Sequence, residues 1–198
     1  MAYPASLTFT HQKKSSNLWA LLTIIPIKLI LLIPYGIALA FLVLVAYVVG
    51  FIGVFGVLFT GQYPKSFEKF ILGVMRWGWR GAVYFGCLTD KYPSFTLAGK
   101  DSPLKLKFTH QKKNSRWMAL WTIIPVKFIL VIPHLAVMCV MDMLAGLAYF
   151  FGVWAVLFTG KFPKPLERLI IVYYNYKFRV SAYLICLTDK YPPLNWEV

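Results

Sequence analysis

Acidic residues are scarce. The chain of 198 residues carries seven Asp and Glu against 21 Lys and Arg, and charged residues make up only 14% of it, well below the roughly one quarter usual for a soluble domain. No Ser-His-Asp, Walker, Gly-x-Gly-x-x-Gly or paired-acid pattern occurs, and so few acids leave little for acid–base chemistry. An enzyme is therefore not expected, and no catalytic residue, metal ligand or cofactor is assigned. Three cysteines, Cys87, Cys139 and Cys186, are too few and scattered for a disulfide framework and form no Cys-x-x-Cys pair. Small apolar filler is their expected role, with S-acylation of Cys87 or Cys186 as the alternative. Residues 1–12 lack a basic segment leading into an apolar run and cleavage site, so no cleaved signal is expected.

What is present is apolar bulk and segregated positive charge. Hydrophobic residues make up 59% and aromatics 18% of the chain, the formal net charge is +14, and residues 35–59 contain no charge at all. That combination excludes a disordered chain, a disulfide scaffold and a compact nucleic-acid module, and points to a polytopic membrane protein with one basic face.

Sliding the chain by about 99 residues aligns 7–95 with 106–194 without a gap, at about 40 identities over roughly 89 positions. The matched blocks are Phe9-Thr-His-Gln-Lys-Lys14, Thr23-Ile-Ile-Pro26, Leu58-Phe-Thr-Gly61 and Leu88-Thr-Asp-Lys-Tyr-Pro93, each recurring in the second half. Identity concentrates at the junctions between apolar runs, where geometry is specified, and fades inside the runs, where loose packing asks only for apolar bulk. The chain thus divides into repeat one, 1–97, and repeat two, 98–198.

The expected fold is an all-α membrane protein of two parallel tandem repeats. Each is a transmembrane helical hairpin, 18–59 and 117–158, followed by an interfacial amphipathic helix, 67–88 and 166–187. Pro26 and Pro125 should kink the first arm, Pro34 and Pro133 end it, and Thr-Gly at 60–61 and 159–160 stop the second. In the third stretch Glu68, Lys69, Arg76 and Arg80 fall within about 120° of arc, broadly opposite Phe70, Ile71, Val74 and Trp77. Glu167, Arg168, Asn175 and Arg179 repeat that stripe. Between the repeats, 94–97 and 104–108 alternate in polarity around a turn at 98–103, which predicts a small cytoplasmic β-hairpin; residues 5–10 could add a third strand.

With two spans per repeat, every Lys and Arg except Lys28 and Lys127 lies on one side, as the positive-inside rule requires, and both termini are cytoplasmic. The repeats are then related by an axis along the membrane normal. A six-span arrangement would instead export Lys100, Lys105, Lys107 and their neighbours.

The stretch Phe59-Thr-Gly-Gln-Tyr-Pro64 before an aromatic, Arg-bearing helix that closes on Leu88-Thr-Asp-Lys-Tyr-Pro-Ser-Phe95 resembles domain-of-unknown-function family 4389, and the resemblance covers both repeats. It implies a prokaryotic membrane protein, often duplicated, with no assigned reaction, cofactor or catalytic residue. The chain departs from the family pattern at Lys28, Lys127 and the Phe-Thr-His-Gln-Lys-Lys blocks.

Lys28 and Lys127 are the sharpest oddities, since an ionisable group inside a span costs about 2.5 to 3.5 kcal/mol unless it snorkels or pairs. In a hairpin with its tip at Pro133, Lys127 and Asp142 would be level and should approach each other; Val43 replaces that acid in repeat one. His11, Lys13, Lys14, His110, Lys112 and Lys113, with Arg76, Arg80 and Arg179, are the candidate contacts for anionic lipid. Asp90 and Asp189 should cap a turn or pair with Arg80 and Arg179. His134 should sit at the opposite surface. Gly50, Gly53 and Gly56 permit close helix approach.

The expected function is a non-catalytic accessory or scaffold protein of the prokaryotic inner membrane, packing against itself or a membrane partner and holding anionic lipid on its cytoplasmic face. The alternative is a small carrier, channel or lipid-handling protein with its site at the proline-broken helices. Nucleic acid is not an expected partner.

Overall fold

A computed structural model describes residues 3–98 and 102–194. It is mostly helical. The order is β1 (Ala5–Phe9), α1 (Asn17–Ile24), α2 (Ile27–Thr60) and α3 (Lys65–Phe85), then β2 (Leu104–Phe108), α4 (Arg116–Ile123), α5 (Val126–Thr159) and α6 (Lys164–Leu184). The turn expected at 98–103 lies partly outside the described residues.

The expected hairpins are absent, because the two prolines of each repeat exchange roles. The chain breaks at Pro26 and Pro125 and runs helical through Pro34 and Pro133. Ile25, at φ −86 and ψ 85, is driven from helical geometry by the proline ring that follows it. Pro34 offers no N–H to the Ile30 carbonyl, and in that same turn a donor arrives from elsewhere on the neighbouring carbonyl: the Tyr92 hydroxyl donates to the Leu31 carbonyl at 3.1 Å, as Tyr191 does to Leu130 at 2.9 Å in the turn before Pro133. A donor supplied to the disturbed turn helps a long apolar helix hold a proline. Each long helix has 34 residues, about 51 Å at 1.5 Å per residue. Both are long and apolar enough to cross a membrane. They stop where expected: Gly61 and Gly160 adopt the left-handed conformation, φ 73 and 66, and return their N–H groups to Val57 and Val156.

A small β element is also present, built from two of the three expected strands. Residues 94–97 are not a strand, and β2 pairs antiparallel with β1 instead. The register is Ala5 with Phe108, Leu7 with Leu106 and Phe9 with Leu104. Leu7 and Leu106 are equivalent positions of the two repeats, so a local two-fold axis passes between them. Reciprocal contacts carry that symmetry through the molecule, as in an isologous interface. The Ser15 N–H donates to the Gly160 carbonyl and the Asn114 N–H to that of Gly61, both at 2.9 Å. Short helix α1 packs on α5 of the other repeat, and α4 on α2.

The third helices cross at the axis, where Trp79 meets its equivalent Phe178 at 5.7 Å between centroids. Ile71 and Leu72, early in α3, cluster with Ala182 and Cys186 at the end of α6, while Val83 and Cys87 cluster with Ile170 and Tyr174. The two helices are therefore antiparallel and the axis is perpendicular to them. Each long helix lies along its own third helix: Lys28 is beside Phe85, the Tyr35 hydroxyl donates to the Trp77 carbonyl at 2.6 Å, and Gly50 faces Ile71. Gly53 and Gly152 receive the rings of Tyr63 and Phe162, which any Cβ there would strike. The small residues of α2 thus serve contacts within the chain.

Burial separates the helices into two kinds. Ten of 21 residues are buried in α3 and eleven of 21 in α6, against six of 34 in α2 and nine of 34 in α5. Apart from Phe85, Tyr92, Phe95, Tyr191 and Leu194, the exposed large apolar side chains belong to α1, α2, α4 and α5 and the breaks between them.

Candidate functional site: a duplicated polar clasp and its basic rim

The block His-Gln-Lys-Lys divides its labour between the repeats. Gln12 stays within its own repeat, donating to Asp90 Oδ2 at 2.7 Å and accepting the Asp90 N–H at 3.1 Å. Gln111 accepts the Asp189 N–H at 3.2 Å and donates to Thr188 at 3.0 Å. The histidines reach across: His11 Nδ1 lies 2.6 Å from Glu167 Oε2, and His110 Nδ1 lies 2.5 Å from Glu68 Oε2.

Asp90 and Asp189 act as caps of helix starts. Asp90 accepts the N–H of Ser16 at 2.9 Å and Asp189 that of Ser115 at 2.6 Å, so each carboxylate sits at the positive end of a short helix. Burial raises the Asp189 pKa, opposed by the Ser115 N–H and by the Lys127 charge. Arg80, the partner expected for Asp90, is buried and donates to Ser94 Oγ at 2.7 Å and to the Thr96 carbonyl. Arg76 donates to the Leu97 carbonyl at 2.9 Å. Desolvation lowers both guanidinium pKa values. Arg179 is buried, with its guanidinium 5.8 Å from the Tyr3 ring centroid.

Lys28 and Lys127 are fully buried, and neither meets Asp142. Lys28 Nζ lies 3.4 Å from Cys87 Sγ and 4.3 Å from the centroid of the Tyr84 ring. Lys127 Nζ donates to the Tyr183 carbonyl at 3.0 Å and lies 3.2 Å from Cys186 Sγ. Because α5 is continuous, positions 127 and 142 are about 22 Å apart along one helix. Asp142 instead accepts the Tyr173 hydroxyl, which Lys177 contacts at 2.8 Å.

Two of the three cysteines are more than filler. Cys87 and Cys186 have φ of 61 and 59, a left-handed conformation in which glycine is the usual residue. Their thiols also meet Thr23 and Thr122 at 3.3 and 3.0 Å. Both are fully buried, which closes them to acylation. The recurrence of Thr, Lys and Cys at one offset was the signal in the sequence, but their convergence depends on the break at Pro26. His134 is likewise buried, its Nδ1 2.5 Å from the Tyr176 hydroxyl, because a continuous helix has no exposed tip.

Lys13, Lys14, Lys112 and Lys113 remain exposed. Lys112 and Lys113, with Arg116, Trp117, Thr60 and Gly61, line a cavity of about 540 Å³. At the two-fold related place Lys13 and Lys14 flank the bond between Ser15 and Gly160, next to exposed Lys161. A second cavity, of about 760 Å³, opens between α5 and α6 among Val137, Val140, Met141 and Leu169, with Arg168 at its wall. In repeat one Phe41 and Phe70 stand in place of Val140 and Leu169. Among the described residues no three of His, Cys, Asp and Glu converge as a metal site would need.

Residues 24–96 and 123–195 each match the family described as a domain of unknown function, DUF4389. Comparison with curated proteins and with solved structures returns no match.

Proposed function

For a chain that belongs to the DUF4389 family, and so inherits no assigned reaction, we propose a non-catalytic membrane protein. It holds anionic lipid headgroups on a basic cytoplasmic rim and serves as a scaffold for a membrane partner or a second copy. The observation that carries this reading is the cavity walled by Lys112, Lys113, Arg116 and Trp117, set beside helices whose apolar side chains are bare. Cations draw phosphate, each contributing about 1 kcal/mol near an anionic surface, and an exposed Trp suits the boundary between headgroup and acyl chain. Two acids that the fold brings to this block do not oppose this, since Glu68 is engaged by His110 and Asp189 by Ser115. The inner membrane of a prokaryote, with both termini cytoplasmic, is the setting this reading assumes.

Native mass spectrometry on the detergent-extracted protein tests it. Phosphatidylglycerol should be retained over phosphatidylcholine, and Lys112→Gln, Lys113→Gln and Arg116→Gln together should remove the preference. Equal retention of both lipids by the unaltered protein would refute it.

A second reading, lipid handling, draws on the 760 Å³ cavity between α5 and α6. It requires that labelled phospholipid move between vesicles faster with the protein than without.

A further inference from the structure

We propose that α1, α2, α4 and α5 enter only one leaflet of the membrane and lie along it, with the local two-fold axis upright, so that no segment crosses. This rests on the membrane reading above and adds an orientation to it.

The argument comes from symmetry and charge. The axis passes between Leu7 and Leu106 of the ribbon and is perpendicular to α3 and α6. Because α2 runs along α3 from Lys28 beside Phe85 to Gly50 beside Ile71, the axis is perpendicular to the long helices too. If those helices stood across a bilayer, the axis would lie in its midplane. The ribbon would then sit at mid-depth, placing the exposed Lys105 and Lys107 in or against hydrocarbon, where an ionised amine is strongly disfavoured. Equivalent residues would also fall on opposite faces, Lys13 and Lys14 on one and Lys112 and Lys113 on the other, against the positive-inside rule.

Turning the molecule by a quarter removes both conflicts. With the axis along the membrane normal, equivalent residues share one depth. The ribbon stands in water, α3 and α6 lie beneath it, and the bare faces of the four apolar helices meet acyl chains. A length of 34 residues, about 51 Å against a hydrocarbon core of roughly 30 Å, is then no mismatch. Helices lying in the interface bury one face among lipid chains and keep their cations at the headgroups. The matching surface is therefore a single anionic leaflet.

Sealed vesicles of known orientation decide the matter. In a Cys139→Ala background, which places at 139 the residue that repeat one carries as Ala40, Lys13→Cys and Lys112→Cys should react with a membrane-impermeant maleimide from the same side. Leu44→Cys should react from neither. Labelling of Lys13→Cys and Lys112→Cys from opposite sides would overturn the proposal while leaving the protein in the membrane. Release of the unaltered protein by alkaline carbonate would instead refute the membrane reading, and this orientation with it.

Discussion

The two repeats share their polar junctions and differ in their filling. In both, a Gln binds the Thr-Asp stretch of its own repeat, a His reaches the other repeat's Glu, and a Lys meets a left-handed Cys. Between these points the side chains diverge. Tyr35 donates to the Trp77 carbonyl, whereas His134 pairs with the Tyr176 hydroxyl at the equivalent place. The Asp142 and Tyr173 pair has no counterpart, since Val43 and Val74 stand there. At one contact the sizes are exchanged: Gly86 accepts the Tyr149 ring, while Ile185 and Gly50 occupy the related positions. Hydrogen bonds have fixed lengths and directions and so tolerate little drift, whereas apolar contacts accept any pair of matching volume.

The exchange of sizes offers the sharpest way to break this comparison. Gly86→Ala should destabilise by about 1 to 3 kcal/mol, because the new methyl strikes the partly buried Tyr149 ring. Adding Tyr149→Leu should recover part of the loss, as read by thermal unfolding in detergent. A neutral Gly86→Ala would show that the ring is not held there.

Next come the crossing pairs. Glu68→Gln and Glu167→Gln should each cost about 1 kcal/mol by weakening a charge-assisted bond that is only partly screened. Near-equal losses would sharpen the two-fold; a large effect in one repeat alone would break it. Tyr92→Phe and Tyr191→Phe should each cost about 0.5 to 1.5 kcal/mol, the net worth of one hydrogen bond. Faster amide exchange around Pro34 or Pro133 should accompany the loss.

The smallest effect concerns pH. Burial raises the Asp189 pKa above its ordinary value of 3.8, so in the window just above 3.8 the folded chain binds more protons than the unfolded one. This group's contribution therefore falls as pH rises through that window and grows as pH falls back through it. Asp189→Asn, which keeps an acceptor for the Ser115 N–H, should flatten that part of the stability curve; an unchanged curve would reject the assignment.

Much of the site was legible and much was not, for reasons that differ residue by residue. The stops at Gly61 and Gly160 were readable because a left-handed cap is local. The extents of α3 and α6 followed from periodicity to within about three residues. The roles of Pro26 and Pro34 were reversed because the turn before Pro34 takes a donor from elsewhere, and Tyr92 is far away in sequence. The ribbon was assigned the wrong partner because short alternating segments carry no label for which strand they join. Lys127 was matched to an acid because a buried cation suggests one, yet a helix-end carbonyl, an aromatic face and a thiol together receive it.

Duplication, apolar bulk and an excess of cations follow from composition and spacing, since each is a property of residues counted along the chain. Folding in three dimensions decided which proline breaks a helix, which repeat each histidine reaches, and that the symmetry axis passes through a polar ribbon perpendicular to the helices. Those outcomes turn on contacts between positions 42 to 156 residues apart, where the energy of a hydrogen bond or a filled gap exists only once both partners have arrived.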